Sequence, residues 1–158
     1  MTRMSAPFVM PTRGKQPDFL VDTSVAVALV VADHEHHLQT VKAMGHRRLG
    51  LAGHAAFETF SVLTRLPPPA RRSPNLVSRL LAENFPENRY LSPQRADELI
   101  ELLGKVGIAG GSVYDALVGA TAIEHRLKLV TRDQRALVTY RALQVDVELL
   151  SGEELVGP

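Results

Sequence analysis

The sequence predicts an α/β fold, a parallel sheet with helices on both faces. From Asp18 onward short apolar, strand-like runs alternate with helical patterns. Strands separated by helices imply crossover connections rather than hairpins. A length of 158 residues suits one domain, able to bury roughly two-thirds of its unfolded-chain surface. Hydrophobic content of 45% and charged content of 22% are ordinary for a globular chain.

Each element follows from a local pattern. "DFLV" is a short apolar strand, followed by a helix over about Ser24 to Ala32. A second helix is expected from Glu35 to Met44, with Gly45 at its C-terminal end. "RLGLA" reads as the next strand and His54 to Leu66 as a helix, stopped by Pro67-Pro68-Pro69. "PPPARRSP" is a loop carrying Arg71 and Arg72, and a helix over Asn75 to Phe85 leads to a short strand, "RYL". Ser92-Pro93 opens a helix to about Leu103, and another runs from Val113 to His125. "KLVT", a short helix over Arg135 to Tyr140 and the strand "VDVELL" complete the order.

The boundaries are marked by composition. Residues 1–17 hold three methionines, three prolines and no sustained periodicity, and are expected to form a flexible leader outside the fold. They lack a signal peptide's continuous apolar core. Residues 18–150 form the expected domain and 151–158 a short tail. The net charge of +1 includes Arg3, Arg13 and Lys15, so residues 18–158 carry −2. Any footprint for nucleic acid must then be local. No apolar run approaches the roughly 20 residues of a membrane span, and the absence of cysteine excludes disulfides and thiolate metal centres.

Four acids carry the chemical interest. In an open parallel sheet ligands collect beyond the carboxyl ends of the strands. Asp22 directly follows the first strand and Asp133 lies two residues beyond Thr131, so both are expected on one edge. The plainer reading of either is a helix cap. Asp115 opens "VYDALVGATAIEHRL", where small residues suit close packing and no other charge occurs before Glu124. A carboxylate at the head of a largely buried helix is costly unless paired; the alternative is a capping box, Ser112-x-x-Asp115. Glu58 shares a helix stripe with His54, Ser61 and Arg65, apart from an apolar stripe of Phe57, Phe60 and Leu63. A glutamate on the polar face of a helix is most often solvated, but this helix starts at the same sheet edge as Asp22, so the acid could point inward. Brought together, such acids would raise one another's pKa, and a hard divalent cation, Mg²⁺ or Mn²⁺, resolves the repulsion. Those ions serve phosphoryl displacement.

"FLVDTSV", "HAAFETFSVLTRLP" and "GGSVYDALVGATAIEHRLKLVTRD", in that order, resemble PIN-domain ribonucleases, specifically the VapC toxins of bacterial toxin–antitoxin pairs. The match spans Asp18 to Leu150. The resemblance implies an α/β/α sandwich with a central parallel sheet of four to five strands and an acidic pocket for one or two Mg²⁺ or Mn²⁺ ions. Its metal positions fall on Asp22, Glu58, Asp115 and Asp133, with Asp133 closing the pocket or helping a second ion, and its supporting hydroxyls on Ser24 and Thr131. It implies RNA hydrolysis by a metal-activated water, leaving a 5′-phosphate and a 3′-hydroxyl. It further implies a cytoplasmic homodimer without membrane attachment, held inactive by a VapB-type antitoxin. The apolar segment Val25 to Val31 is a candidate dimer or partner surface.

Other signals carry less. "DHEHH", Asp33 to His37, has neither HExxH spacing nor an i, i+4 histidine pair, and reads as a solvated helix start. Gly110-Gly111 is either a simple turn or a close approach for RNA. Arg71, Arg72, Arg47 and Arg48 are candidate RNA phosphate contacts, with ordinary solvated charge as the alternative. Aromatic content of 5% without tryptophan argues against a stacking platform for single strands, and favours shape and backbone contacts to a folded RNA. Competing readings are a structure-specific DNA nuclease and a non-catalytic PIN-like nucleic-acid-binding module. A phosphatase of the DxD kind fits less well, because this chain has Asp22-Thr23-Ser24.

Overall fold

The computed structural model describes residues 16–151; most of the expected leader and tail, residues 1–15 and 152–158, lies outside them. Among the described residues the order is β1 (Phe19–Val21), α1 (Thr23–Val30), α2 (His37–Met44), β2 (Leu49–Leu51), α3 (His54–Thr64), α4 (Pro74–Asn84), α5 (Pro93–Val106), α6 (Ser112–His125), β3 (Leu129–Thr131), α7 (Gln134–Ala142) and β4 (Val147–Leu149). The strands form one sheet in the order β2-β1-β3-β4. Every pairing is parallel, with Val21 opposite Leu51 and Val130, and Thr131 opposite Leu149. The expected α/β architecture with its parallel sheet is therefore present.

Each strand is only three residues long. β2 and β3 are buried at every position, as a parallel sheet covered on both faces requires. The edge strand β4 alternates instead, with Glu148 outward. Leu20, Val21, Leu49, Leu51, Leu129 and Val130 form the centre of the core, with Val25, Leu63, Val77, Phe85 and Tyr140 packed around them. Burying each such aliphatic side chain stabilises the fold by roughly 1.5–3 kcal/mol. α1 packs on α2 and α3, α3 on α4, and α6 on α5 and α7.

Several boundaries differ from expectation for identifiable reasons. "RYL" forms no strand: its one ladder position is the bridge between Ala52 and Arg89. The Asn88 side-chain Oδ1 accepts from Leu51 N at 2.7 Å, taking the place a strand carbonyl would hold. The Glu87 carboxylate, bonded by Arg48 and Arg89, fixes the segment further. α2 begins at His37 rather than Glu35, because turns closed by His34 N to Val31 O and His37 N to His34 O occupy the approach. Gly45 ends that helix in right-handed geometry, φ −65°, not in the left-handed form. α5 extends past Leu103 to Val106 and stops at Gly107, which is left-handed at φ 74°. Ser73 and Ser92 cap α4 and α5, each with proline in the first turn.

α1 turns Val25, Ala26 and Ala28 into the core and leaves its other apolar residues only partly accessible. The segment from Val25 to Val31 is thus largely covered within the molecule. Among the described residues, no helix is long and apolar enough to cross a membrane.

Candidate active site

Strand β1 delivers Asp22 to the carboxyl edge of the sheet, where it becomes the N-cap of α1. Asp22 is 5% exposed and its carboxylate receives five donors. Oδ1 accepts from Ser24 N at 3.1 Å, Ser24 Oγ at 2.5 Å and Val25 N at 3.4 Å. Oδ2 accepts from Thr131 Oγ1 at 2.5 Å and Tyr140 Oη at 2.9 Å. A carboxylate offers about four lone-pair sites, so this one is saturated. Burial pushes its pKa up, while the Ser24, Thr131, Tyr140 and Val25 donors oppose that rise. Asp22 both caps α1 and lines a pocket at the sheet edge.

The hydroxyls bind the ends of β1 and β3 together. Ser24 Oγ accepts from Arg132 N at 2.8 Å, and Thr131 Oγ1 accepts from Asp133 N at 3.0 Å. Asp133 in turn caps α7, accepting from Arg135 N at 2.9 Å. Ser24 and Thr131 thus both stand against Asp22. Tyr140 is a member that sequence patterns do not single out. It lies on α7 with Ala136 and Leu137 at core-facing spacing, and a buried tyrosine requires a partner for its hydroxyl; that requirement is the one signal it offers. Burial, then the neighbouring Asp22 carboxylate, push the Tyr140 phenol well above its ordinary range, so it stays a donor.

Asp115 stands in the first turn of α6. The alternative capping box does not form: Gly111 is the cap residue, with no side-chain bond, and Ser112 is already helical. Half-buried, Asp115 has its pKa raised to about 6, first by burial and then by the negative charges of Asp133, Asp22 and Glu58. Glu58 lies exposed on α3, one turn beyond His54. The buried face of that helix is Ala55, Ala56, Thr59 and Leu63. Phe57, expected on the apolar stripe, is instead 67% exposed.

All four acids line one pocket of about 210 Å³, together with Thr23, Ser24, Val118 and Tyr140. Among the described residues no three carboxylate or imidazole side chains converge into a ready cation cage. The acids line a common space, and both Asp22 oxygens are occupied by hydroxyl donors. The donor set nonetheless fits a hard cation. It is all oxygen and it concentrates negative charge, which adds to burial in raising the pKa of Asp115. The "DHEHH" histidines lie apart, His34 and His36 lining a neighbouring cavity of about 610 Å³ that shares Ser24 and Asp133 with the acidic pocket.

The four candidate RNA arginines are placed elsewhere. Arg47 and Arg48 immediately precede β2 and so sit at the amino edge of the sheet, opposite the acids. Arg48 pairs with Glu87, and the Arg47 guanidinium lies 5.7 Å from the Phe19 ring centroid. Arg71 and Arg72 follow the far end of α3, bonded to the carbonyls of Leu66 and Ala70. None of the four lines the acidic pocket.

Residues 19–142 match the family described as PIN domain. The chain is 46% identical over 132 residues to Ribonuclease VapC27 of Mycobacterium tuberculosis, covering 84% of this chain and 96% of that protein. It is likewise 46% identical over 132 residues to Ribonuclease VapC40 of the same species, covering 82% and 97%. Among solved structures, VapBC2 from Rickettsia felis, bound to a DNA fragment from their promoter, aligns with a TM-score of 0.56 at 13% identity. That alignment covers 85% of this chain and 98% of the other. FitAcB from Neisseria gonorrhoeae aligns with a TM-score of 0.55 at 18% identity, covering 82% and 95%. At such identities the two structures speak to the fold.

Proposed function

This chain belongs to the PIN-domain family, and from that premise we propose that it is an endoribonuclease toxin restrained by a VapB-type antitoxin. One observation carries the reading: four acids from four separated segments line a single pocket at the carboxyl edge of the sheet. The relatives named Ribonuclease VapC27 and VapC40 support the substrate class.

A divalent cation, Mg²⁺ or Mn²⁺, held by Asp22, Glu58 and Asp115 with Asp133 beside it, would neutralise the developing phosphoryl charge and acidify water. The chain's own residues prepare the rest. Ser24, Thr131 and Tyr140 fix the orientation of the Asp22 carboxylate. Asp115, with a pKa near 6, has lost its proton at neutral pH in most molecules and is then available as a ligand. Hydrolysis forms a bond from water oxygen to phosphorus and breaks the bond to O3′, leaving a 5′-phosphate and a 3′-hydroxyl. The homodimer and the antitoxin partner belong to the same proposal and rest on the VapC resemblance.

Purified protein is expected to cut RNA with Mg²⁺ or Mn²⁺ and to stop in excess EDTA. Asp22→Asn or Asp115→Asn is expected to lower cleavage by at least about 100-fold, a loss of about 2.7 kcal/mol in barrier lowering, with an unchanged circular dichroism spectrum. Full activity in either variant, or indifference to EDTA, would overturn the assignment. The saturated Asp22 carboxylate favours one competing reading, a non-catalytic nucleic-acid-binding module. That module would bind RNA without cutting it and would not arrest growth when expressed alone.

A further inference from the structure

The five donors on the Asp22 carboxylate exceed its roughly four lone-pair sites, and the surplus donor can be located. A cation held by the same carboxylate has to share it with them. The Ser24 and Val25 amides on Oδ1 belong to the first turn of α1, and giving them up would unwind the helix start. Ser24 Oγ, also on Oδ1, is pinned by Arg132 N at 2.8 Å. On Oδ2, Thr131 Oγ1 stands at 2.5 Å and is pinned by Asp133 N at 3.0 Å. Those four bonds fasten the carboxylate to α1 and to the end of β3. Tyr140 is the remaining donor. Its Oη lies 2.9 Å from Oδ2, the longer of the two bonds there, and this is the one hydrogen bond it makes among the described residues. Tyr140 is 1% exposed, yet it lines the acidic pocket together with Asp22, Glu58, Asp115 and Asp133.

We propose that Tyr140 is a positioning residue that competes with the divalent cation for Asp22 Oδ2, so that the pocket takes metal more weakly than its acids alone would. The inference rests on the metal-dependent ribonuclease reading and adds what sets the cation affinity of that same site. The phenol supplies part of what a cation would supply, because it offsets the Asp22 charge where an uncompensated buried carboxylate is costly. A hydrogen bond to a charged group is stronger than one between neutral groups, so the need to give it up opposes binding. A support that only oriented the ligand would act the other way, since loss of such outer partners weakens metal sites by about 10–100-fold. Tyr140 shares in the orientation of Asp22, but the four other donors suffice for it, and that decides the sign. The freed hydroxyl is not stranded, because the charges of Asp115 and Asp133 already act on the phenol.

The test measures binding of Mn²⁺ alone, without RNA, to the full-length chain by electron paramagnetic resonance of the free ion. Tyr140→Phe is expected to bind Mn²⁺ about tenfold more tightly than the unmodified chain, about 1.4 kcal/mol. Gly50→Ala controls for general loosening, because Gly50 lies on β2 against the Glu87 carbonyl and does not line the pocket; its affinity should be unchanged. Equal or weaker binding by Tyr140→Phe would overturn the competition, and so would the same gain in Gly50→Ala. Should Tyr140→Phe fail to fold, the unmodified chain answers by nuclear magnetic resonance. The chain has 3 tyrosines, of which Tyr90 and Tyr114 are exposed, so a slowly exchanging tyrosine hydroxyl proton belongs to Tyr140. Adding Mg²⁺ should shift that resonance, and an unmoved resonance sinks the idea. If the unmodified chain and Tyr140→Phe both fail to bind Mn²⁺, the metal-dependent reading falls and the competition with it. If the unmodified chain binds and Tyr140→Phe binds no better, only the competition does.

Discussion

Asp115 concentrates the electrostatic strain of the pocket. Its folded-state pKa of about 6 exceeds the ordinary 3.8, so the folded protein holds that proton more tightly than the unfolded chain. Its stabilising effect is complete below about pH 4 and is lost as pH rises through about 6. Asp115→Asn should therefore raise the melting temperature of the EDTA-treated protein at pH 7.5 and leave it unchanged at pH 4. The whole shift corresponds to about 3 kcal/mol, and solvent screening at this half-exposed carboxylate reduces the expected gain to about 1 kcal/mol. Tyr140→Phe works in the opposite direction. It removes a donor from the buried Asp22 Oδ2, so urea unfolding is expected to show a loss of about 1–3 kcal/mol. Asp22 and Asp133 are legible in sequence because each follows the end of a strand. Tyr140 is not, because its role arises from a contact across 118 positions that no local pattern encodes.

At the scale of elements, Gly50 shows how closely the segment after α4 approaches the sheet. A Cβ built there would lie 1.9 Å from the Glu87 carbonyl oxygen. Gly50→Ala should lower the urea midpoint by the equivalent of about 1–3 kcal/mol, with an unchanged slope if the two-state transition survives. The same closeness explains why "RYL" misleads: the segment accompanies β2, but Asn88 fills the ladder with its side chain. Helix positions are largely readable, from proline stops, serine caps and small-residue spacing. Gly119 is an instance, since a Cβ there would lie 2.9 Å from Val145 Cγ2. Which face of α3 is buried is less readable. Periodicity groups Phe57 with Leu63, but Thr59 takes the buried place, its hydroxyl bonded to Thr23 Oγ1 at 3.4 Å. A hydroxyl with a partner sits in a core at little cost, and that partner is invisible until the helices meet.

Over the whole molecule, the order β2-β1-β3-β4 joins strands more than a hundred residues apart in sequence. β1 and β3 are central, and the amides of Leu20 and Asp22 donate to Lys128 and Val130 carbonyls across that distance. Native-state hydrogen exchange is expected to be slowest at Leu20, Leu129 and Val130, approaching global unfolding, and faster by at least about tenfold at the edge strand β4. Comparable protection at Val147 to Leu149 would mean that the edge is covered in solution. The α/β class and the gathering of acids at one edge follow from alternation and strand ends. The distances between the acids do not, because they depend on helix rotations about their axes. Asp22 and Asp133 each close the first turn of a helix as well as facing the pocket, whereas Glu58 and Asp115 cap nothing. Inheritance should treat the pairs differently. In descendants that have abandoned cutting, the first pair should drift toward asparagine, serine or threonine, and the second toward any residue the surface tolerates.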